Sequence, residues 1–228
     1  MSITYWQTHY NTSVLNYPDI FLKQVGKTVD GKEIDQKQVE LIIYRIQRML
    51  SLDKNDVLLD ACCGNGFLTY RLSPFVAQII GIDFSENLIS IANKYHCMDN
   101  IYYVNSNLLD FKDFLGCNKI LMYEALQHFT YEQFELLLKN IKDISEKCFL
   151  FYIASIPDKN RLWNYYDTKQ KQDFYRERER QGYSHMGTWW EKQYLAELCQ
   201  KCGMNVQFFD QDVDLYTSYY RFDMLISL

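Results

Sequence analysis

Val57-Leu58-Leu59-Asp60-Ala61-Cys62-Cys63-Gly64-Asn65-Gly66-Phe67-Leu68-Thr69 is the stretch that decides the fold. A short apolar run of the kind that forms a buried strand ends at an acid and passes into two glycines. Behind them a helical pattern runs over 67–72. Glycines at such a junction let backbone approach a ligand, and a helix start offers free N–H donors. On its own the Gly-x-Gly pattern also fits a nucleotide-binding loop.

Outward from this loop, apolar runs and helical periods alternate. Strands are expected over 79–83, 101–104, 120–123 and 148–153, beginning in the last case at Cys148, with helices over 86–95 and 131–144. Ser85 stands where it can cap the first of these helices. Alternation of this kind implies a parallel sheet covered by helices on both faces, with a ligand beyond the carboxyl ends of the strands. Residues 155–187 break the rhythm with a polar, charged and aromatic insertion. A helix over 189–202, with Thr188 as its cap, and strands over 206–209 and 219–226 follow; two strands so close in sequence suggest an antiparallel hairpin at the sheet edge. Residues 1–50 precede the alternation and read as a helical or irregular cap, in which 36–50 carries a 3.6-residue apolar period. Residues 1–228 are read as one domain.

The 228 residues suffice for one core without a metal or disulfide staple. Nineteen Tyr and fourteen Phe suit an apolar pocket with polar tips. A net charge of −5 disfavours a dedicated nucleic-acid binder. No signal peptide or spanning apolar run is read, so a cytoplasmic chain away from the membrane, with reduced cysteines, is expected. Cys199 and Cys202 form a lone Cys-x-x-Cys in a helical pattern. They read as packing, because no second pair stands at zinc-ligand spacing, and no metal is expected.

Asp83 closes the strand after the glycine loop, where a carboxylate can accept both hydroxyls of a ribose. With Asp60, Gly64 and Gly66 it makes the sequence resemble the class I S-adenosylmethionine (SAM)-dependent methyltransferases, whose first motif reads acidic–x–Gly–x–Gly–x–Gly. Cys62 stands at the first glycine, a departure that makes a pyrophosphate cradle less apt. The resemblance covers roughly 56–153 and implies a Rossmann-like, doubly wound, mostly parallel seven-stranded sheet with an antiparallel C-terminal strand. It implies SAM as cofactor, with Asp60 and Gly64 toward the methionine part, Asp83 on the ribose and Phe84 beside the adenine. Asn107 falls where the family often has an acid on the adenine amino group. Ala61, Cys62, Leu108, Tyr123 and Tyr10 complete the expected cofactor-binding set.

Tyr123-Glu124-Ala125-Leu126-Gln127-His128-Phe129 follows the fourth strand. In the resembled family this segment passes beside the reactive methyl, and a Leu-x-His-Phe ending is common in its small-molecule branch. Methyl transfer to O or N needs alignment and, where the acceptor is protonated, a base, for which imidazole is suited near neutral pH. His128 and Glu124 are therefore candidate catalytic residues or wall residues. His185, in Tyr183-Ser184-His185-Met186-Gly187-Thr188-Trp189-Trp190, is a candidate second base or substrate ligand, or else part of a packed turn. Arg176-Glu177-Arg178-Glu179-Arg180 reads as a solvated helix face, with the alternative that an Arg, helped by Lys169 or Lys171, grips an anionic group. Tyr5, Trp6, His9 and Tyr10 are expected to form a lid that dries the site.

The expected reaction is methyl transfer to a small, phosphorylated or sugar-linked acceptor. Gln24-Val25-Gly26-Lys27-Thr28-Val29 and Gly187-Thr188-Trp189-Trp190 are similar to segments of bacterial capsule methyltransferases, including those of O-methyl phosphoramidate formation, which would place the chain in surface-polysaccharide assembly. An NAD(P)-dependent oxidoreductase on a similar sheet and a SAM-binding module without chemistry are the alternatives. A dinucleotide site wants three glycines, which Cys62 denies. No Asn/Asp-Pro-Pro-aromatic motif follows the fourth strand, as it does in relatives that methylate base amino groups.

Overall fold

The computed structural model describes residues 3–111, 116–144, 150–182 and 185–227. Seven strands form its sheet: β1 (Val57–Ala61), β2 (Gln78–Asp83), β3 (Ile101–Asn105), β4 (Lys119–Tyr123), β5 (Leu150–Pro157), β6 (Asn205–Asp210) and β7 (Arg221–Ser227). Their spatial order is β3-β2-β1-β4-β5-β7-β6. Pairs from β3 through β5 are parallel, whereas β7 lies antiparallel to both β5 and β6. The expected C-terminal hairpin is present, with β7 inserted beside β5 and β6 at the edge. Strand order reverses between β1 and β4, the place where open α/β sheets bind ligands.

The main helices are α1 (Ile3–Asn16), α2 (Gln36–Leu50), α3 (Phe67–Leu72), α4 (Glu86–Tyr95), α5 (Tyr131–Ile144), α6 (Lys169–Arg180) and α7 (Lys192–Lys201). Alternation along the strands sends successive side chains to opposite layers. Leu58, Leu121 and Tyr152 pack with Ile42, Ile46 and Leu50 of α2 on one face. Leu59, Met122, Phe151 and Ile153 pack with Phe134, Leu137 and Leu138 of α5 and with Leu195 and Cys199 of α7 on the other. Cys199 and Cys202 are buried, as a packing role requires. Ser85 does cap α4, its Oγ accepting from Leu88 N at 3.2 Å.

Three expectations need correcting. Strand β5 runs on to Pro157, past the expected end, through a bulge at which Ser155 adopts φ 62°; the expected start at Cys148 lies outside the described residues. The helix expected from Trp189 begins at Lys192. Trp190 instead bridges Asp158, donating its N–H to Pro157 O at 2.9 Å while its carbonyl accepts from Lys159 N at 3.0 Å. A backbone so engaged cannot also enter a helix. Thr188 accordingly caps nothing: its Oγ1 donates to Phe129 O at 2.7 Å. Residues 155–187 carry α6, on which the expected helix face over 176–180 lies, and its described side chains are all outside the core.

No described helix is long and apolar enough to cross a membrane.

Candidate functional site

Strand β1 delivers Asp60 to the switch point, and the chain turns sharply behind it. Cys62, standing where the family motif has a glycine, takes up the left-handed conformation at φ 65°, and Gly64 follows at φ 59°. A side chain at Gly64 would stand 2.9 Å from Val25 Cγ1, so the loop must be bare here. Gly66 serves packing: a Cβ would meet the Tyr103 hydroxyl at 2.3 Å.

Two buried carboxylates face each other across the loop. Asp83 accepts from Gly64 N at 2.9 Å on one oxygen and from Ser85 N at 2.9 Å on the other. Each oxygen keeps a second lone pair for a ligand hydroxyl. Asp60 accepts from Thr69 Oγ1 at 2.6 Å. Burial pushes both carboxyl groups up to about 6. The cleft between them is lined by Tyr10, Val25, Lys27, Phe84, Tyr123 and Glu124 among others, and by His128.

Donor chemistry distinguishes the ligands. Hydroxyl groups and a sulfonium cation suit two acids under a bare loop; a pyrophosphate would be repelled by them. The residues present therefore fit SAM: Asp60, Asp83 and the bare loop suit its hydroxyls and its sulfonium charge, and Lys27, paired with Glu124, also lines the cleft.

The segment after β4 closes the cleft. Glu124, at φ 54°, is bound by Lys27 Nζ at 2.5 Å, Tyr216 OH at 2.8 Å and Ser155 Oγ at 3.2 Å. Burial would raise its carboxyl, but Lys27 and Arg221 outweigh that and hold it below the usual range. A carboxylate so engaged is a fixed anchor and a poor proton acceptor. His128 lines the cleft and a second cavity of about 350 Å³ as well. Its Nε2 is 2.8 Å from Tyr10 OH, its ring is 4.1 Å from that of Trp6, and its buried Nδ1 has no partner. Burial, together with the charges of Arg221 and His9, pushes its protonation down to about 3. The expected imidazole is therefore present at the junction, but neutral and weakly basic.

Helix α1 brings Trp6 and Tyr10 against His128. Other expected residues are not brought together. Asn107 closes a local turn, its Oδ1 accepting from Leu109 N at 3.1 Å and its Nδ2 donating to Asp110 at 3.0 Å, and it is absent from the cleft lining. Leu108 and Ala61 are packed in the core beneath. His185 is exposed and stacks edge-on against Phe174 of α6 at 5.2 Å, lining neither cavity. Arg176 and Arg180 pair with Asp173 and Glu177 on the outer face of α6, the solvated reading. Lys27 and Arg221 were missed as site residues. A lone Lys in irregular chain carries no local signal, whereas Arg221 and Asp223 were visible as charges in an otherwise apolar strand. No group of described His, Cys, Asp or Glu residues could hold a metal.

The chain is similar to several known proteins. Residues 58–147 match the family described as "Methyltransferase domain". The chain is 28% identical over 124 residues to the demethylmenaquinone methyltransferase of Staphylococcus carnosus (strain TM300), a match covering 52% of this chain and 43% of that protein. It is 42% identical over 67 residues to the 2-phytyl-1,4-naphtoquinone methyltransferase of Nostoc sp. (strain PCC 7120), covering 25% of this chain and 29% of that one. The matched region thus spans less than half the length of these curated relatives. Two solved structures share the fold: a DhpI-SAM-HEP complex, at TM-score 0.68 and 14% identity over 99% of this chain and 97% of that one; and magnesium protoporphyrin IX methyltransferase (ChlM) from Synechocystis PCC 6803 with bound SAH, at TM-score 0.68 and 14% identity over 99% of both chains. None of these names concerns a capsule or polysaccharide. Residues 58–147 are thus similar to a methyltransferase domain, and the whole chain shares the fold of the two solved structures.

Proposed function

We propose that the chain is an enzyme that transfers the methyl group of SAM to an oxygen, or failing that a nitrogen, of a small molecule. The observation that carries this is the pair of buried carboxylates at the switch point of the sheet, Asp83 accepting from Gly64 N and Asp60 from Thr69 Oγ1. Bound there, SAM supplies a methyl group on a sulfonium whose leaving group is a neutral thioether. The chain's own work is to hold, align and exclude water. Asp83 and Gly64 fix the ribose end, and Lys27 with Glu124 frames the methionine end. Tyr10 and Trp6 cover His128, which stands between the cofactor cleft and the second cavity. Alignment of an already activated methyl accounts for most of the catalysis required.

The relatives' names favour a ring-bearing acceptor: a quinone in two, a porphyrin in a third. A phosphorylated or sugar-linked acceptor has only the short sequence likenesses behind it. We propose that residues 1–228 act as one functional unit, since Trp6 of α1 and the 155–187 insertion both line the cavity that His128 also lines.

A thermal-shift comparison tests the reading. S-adenosylhomocysteine at about one hundred times its dissociation constant should stabilise the fold by about 2.7 kcal/mol, and NAD(P)H should not. A shift with NAD(P)H alone would transfer the site to an oxidoreductase.

A further inference from the structure

The insertion over 155–187 carries a small apolar cluster of its own, separate from the two that flank the sheet. Leu162, Tyr166, Trp189 and Tyr220 are buried in it, with Tyr165 and Tyr175 packed against them. Its rings run in a chain from Trp163 through Tyr175, Tyr166 and Tyr165 to Tyr220 and Tyr219, with centroids 4.7–5.7 Å apart. Both ends of this chain reach solvent: Trp163 is 47% exposed and Tyr219 50%. Phe174 of α6 is exposed as well. Trp6, Trp189 and Trp190 are buried, so Trp163 is the exposed tryptophan of the four. Rings with an apolar body and a polar tip suit a contact that is apolar on one side and wet on the other.

Charge divides along the same line. Of the chain's 24 Lys and Arg and 29 Asp and Glu, residues 155–187 hold seven and five, for a net +2; the rest hold 17 and 24, for a net −7. Cations stand against the exposed rings. The Arg176 guanidinium is 5.5 Å from the centre of the Trp163 ring, and that of Arg178 is 5.8 Å from Phe174. Lys171, Arg176 and Arg180 pair with Asp167, Asp173 and Glu177, all of them side chains at least half exposed. Such pairs hold weakly and exchange readily for another anion. At physiological salt a charge is screened within about 8 Å, so a surface meeting this face feels the insertion and little of the acidic body behind it.

We propose that this face docks on an anionic lipid surface, with the rings of Trp163, Phe174 and Tyr219 at the level of the headgroups and the basic side chains of α6 on the lipid phosphates. The proposal does not depend on the methyltransferase reading; it adds where the protein works. Amphipathic rings settle between headgroups and acyl chains, and Lys and Arg reach from beside them to anionic groups. No described helix is long and apolar enough to cross the bilayer, so the contact is with its surface. Three exposed rings bury little and a net +2 is a modest charge, so both attractions are needed and docking is reversible. Leu162, Tyr175 and Trp189 of the aromatic cluster also line the 350 Å³ cavity, which therefore borders the docked face.

The probes are vesicles of phosphatidylcholine, alone or with about 30% phosphatidylglycerol, some with brominated acyl chains. The full chain should sediment with the anionic vesicles about tenfold more readily than with phosphatidylcholine alone, and should be released at about 0.5 M salt. Brominated chains should quench tryptophan emission, and the quenching should vanish in Trp163→Phe while sedimentation persists. Trp163→Ala with Phe174→Ala, and separately Lys169→Gln with Lys171→Gln and Arg176→Gln, should each lower the partition about tenfold and leave S-adenosylhomocysteine affinity unchanged. Equal sedimentation with both lipids, sedimentation with neither, or quenching that survives in Trp163→Phe overturns the proposal. Binding of a single-stranded oligonucleotide without binding of vesicles overturns it too, and gives the face to nucleic acid. Should a multiple variant fail to fold, the lipid and salt dependence of the wild-type chain and the quenching in Trp163→Phe decide. Failure of the wild-type chain to bind S-adenosylhomocysteine overturns the methyltransferase reading alone.

Discussion

At the scale of single residues, the site divides its acids by environment. Glu124 is held below the usual range because Lys27 and Arg221 overrule its burial, whereas burial outweighs the charge of Lys27 at Asp60 and the backbone donors at Asp83, and both are pushed up to about 6. Their folded pKa lies above the unfolded value near 3.9, so each prefers its proton in the folded chain as pH falls through 6. A ribose hydroxyl needs the ionised form as acceptor, so the proton competes with the cofactor. Affinity for S-adenosylhomocysteine should be flat above pH 7 and fall below 6, by up to about tenfold per pH unit for each carboxylate that must ionise. Calorimetry across pH 5–8 checks this. The fall should persist in His128→Ala, because that imidazole does not titrate in the window. Disappearance of the fall in His128→Ala would assign it to the histidine instead.

At the scale of elements, α1 shows how the lid is held. Asn11 Oδ1 accepts from Ser85 Oγ at 2.7 Å and from Asn87 N at 3.2 Å, and Gln7 Nε2 donates to Phe84 O at 3.0 Å. Only Trp6 and Val14 of the helix are deeply buried among its described side chains. Asn11→Ala should therefore loosen α1 selectively: amide exchange should quicken over 3–16 and stay slow in α2, because α1 rests on few apolar contacts. The element pattern was legible from sequence where periodicity was strong. Helices α2, α3, α4 and α5 begin and end where their apolar periods do, since each buries one stripe against the sheet. It failed at Trp189-Trp190, whose backbone is claimed by Pro157 and Lys159 through a contact distant in sequence. The loop after β1 was legible for the same local reason, with acid, glycine and second acid each ending a strand or turn. The acceptor side was not. His185 looked chemical in its motif and is placed against Phe174, while Lys27, Tyr216 and Arg221 reach the site only by tertiary folding.

At the scale of the whole molecule, one buried polar network ties the sheet to α2 beside the site. Asp223 of β7, fully buried, accepts from Arg45 Nε of α2 at 2.6 Å, Tyr152 OH of β5 at 2.6 Å, Ser155 N at 2.8 Å and Gln211 Nε2 at 3.0 Å. Removing one partner of such a pair leaves the other charged and dry, so Asp223→Ala should cost about 3–5 kcal/mol in denaturant unfolding. A loss below about 1 kcal/mol would mean that Asp212, which already pairs with Arg45 Nη1 at 2.9 Å, suffices for the guanidinium. The same network sets the Ser155 bulge, from which Ser155 reaches both Glu124 and the Arg221 guanidinium, so fold and site share their buried charges. The cofactor cleft remains the centre of the account, and Asp83 is its test. In calorimetric titration with S-adenosylhomocysteine, the wild-type chain should bind and Asp83→Ala should lose about 1.5–3 kcal/mol, the worth of hydrogen bonds to a charged acceptor. Equal affinity in the two, or no binding by the wild-type chain, would contradict the assignment of this cleft to SAM.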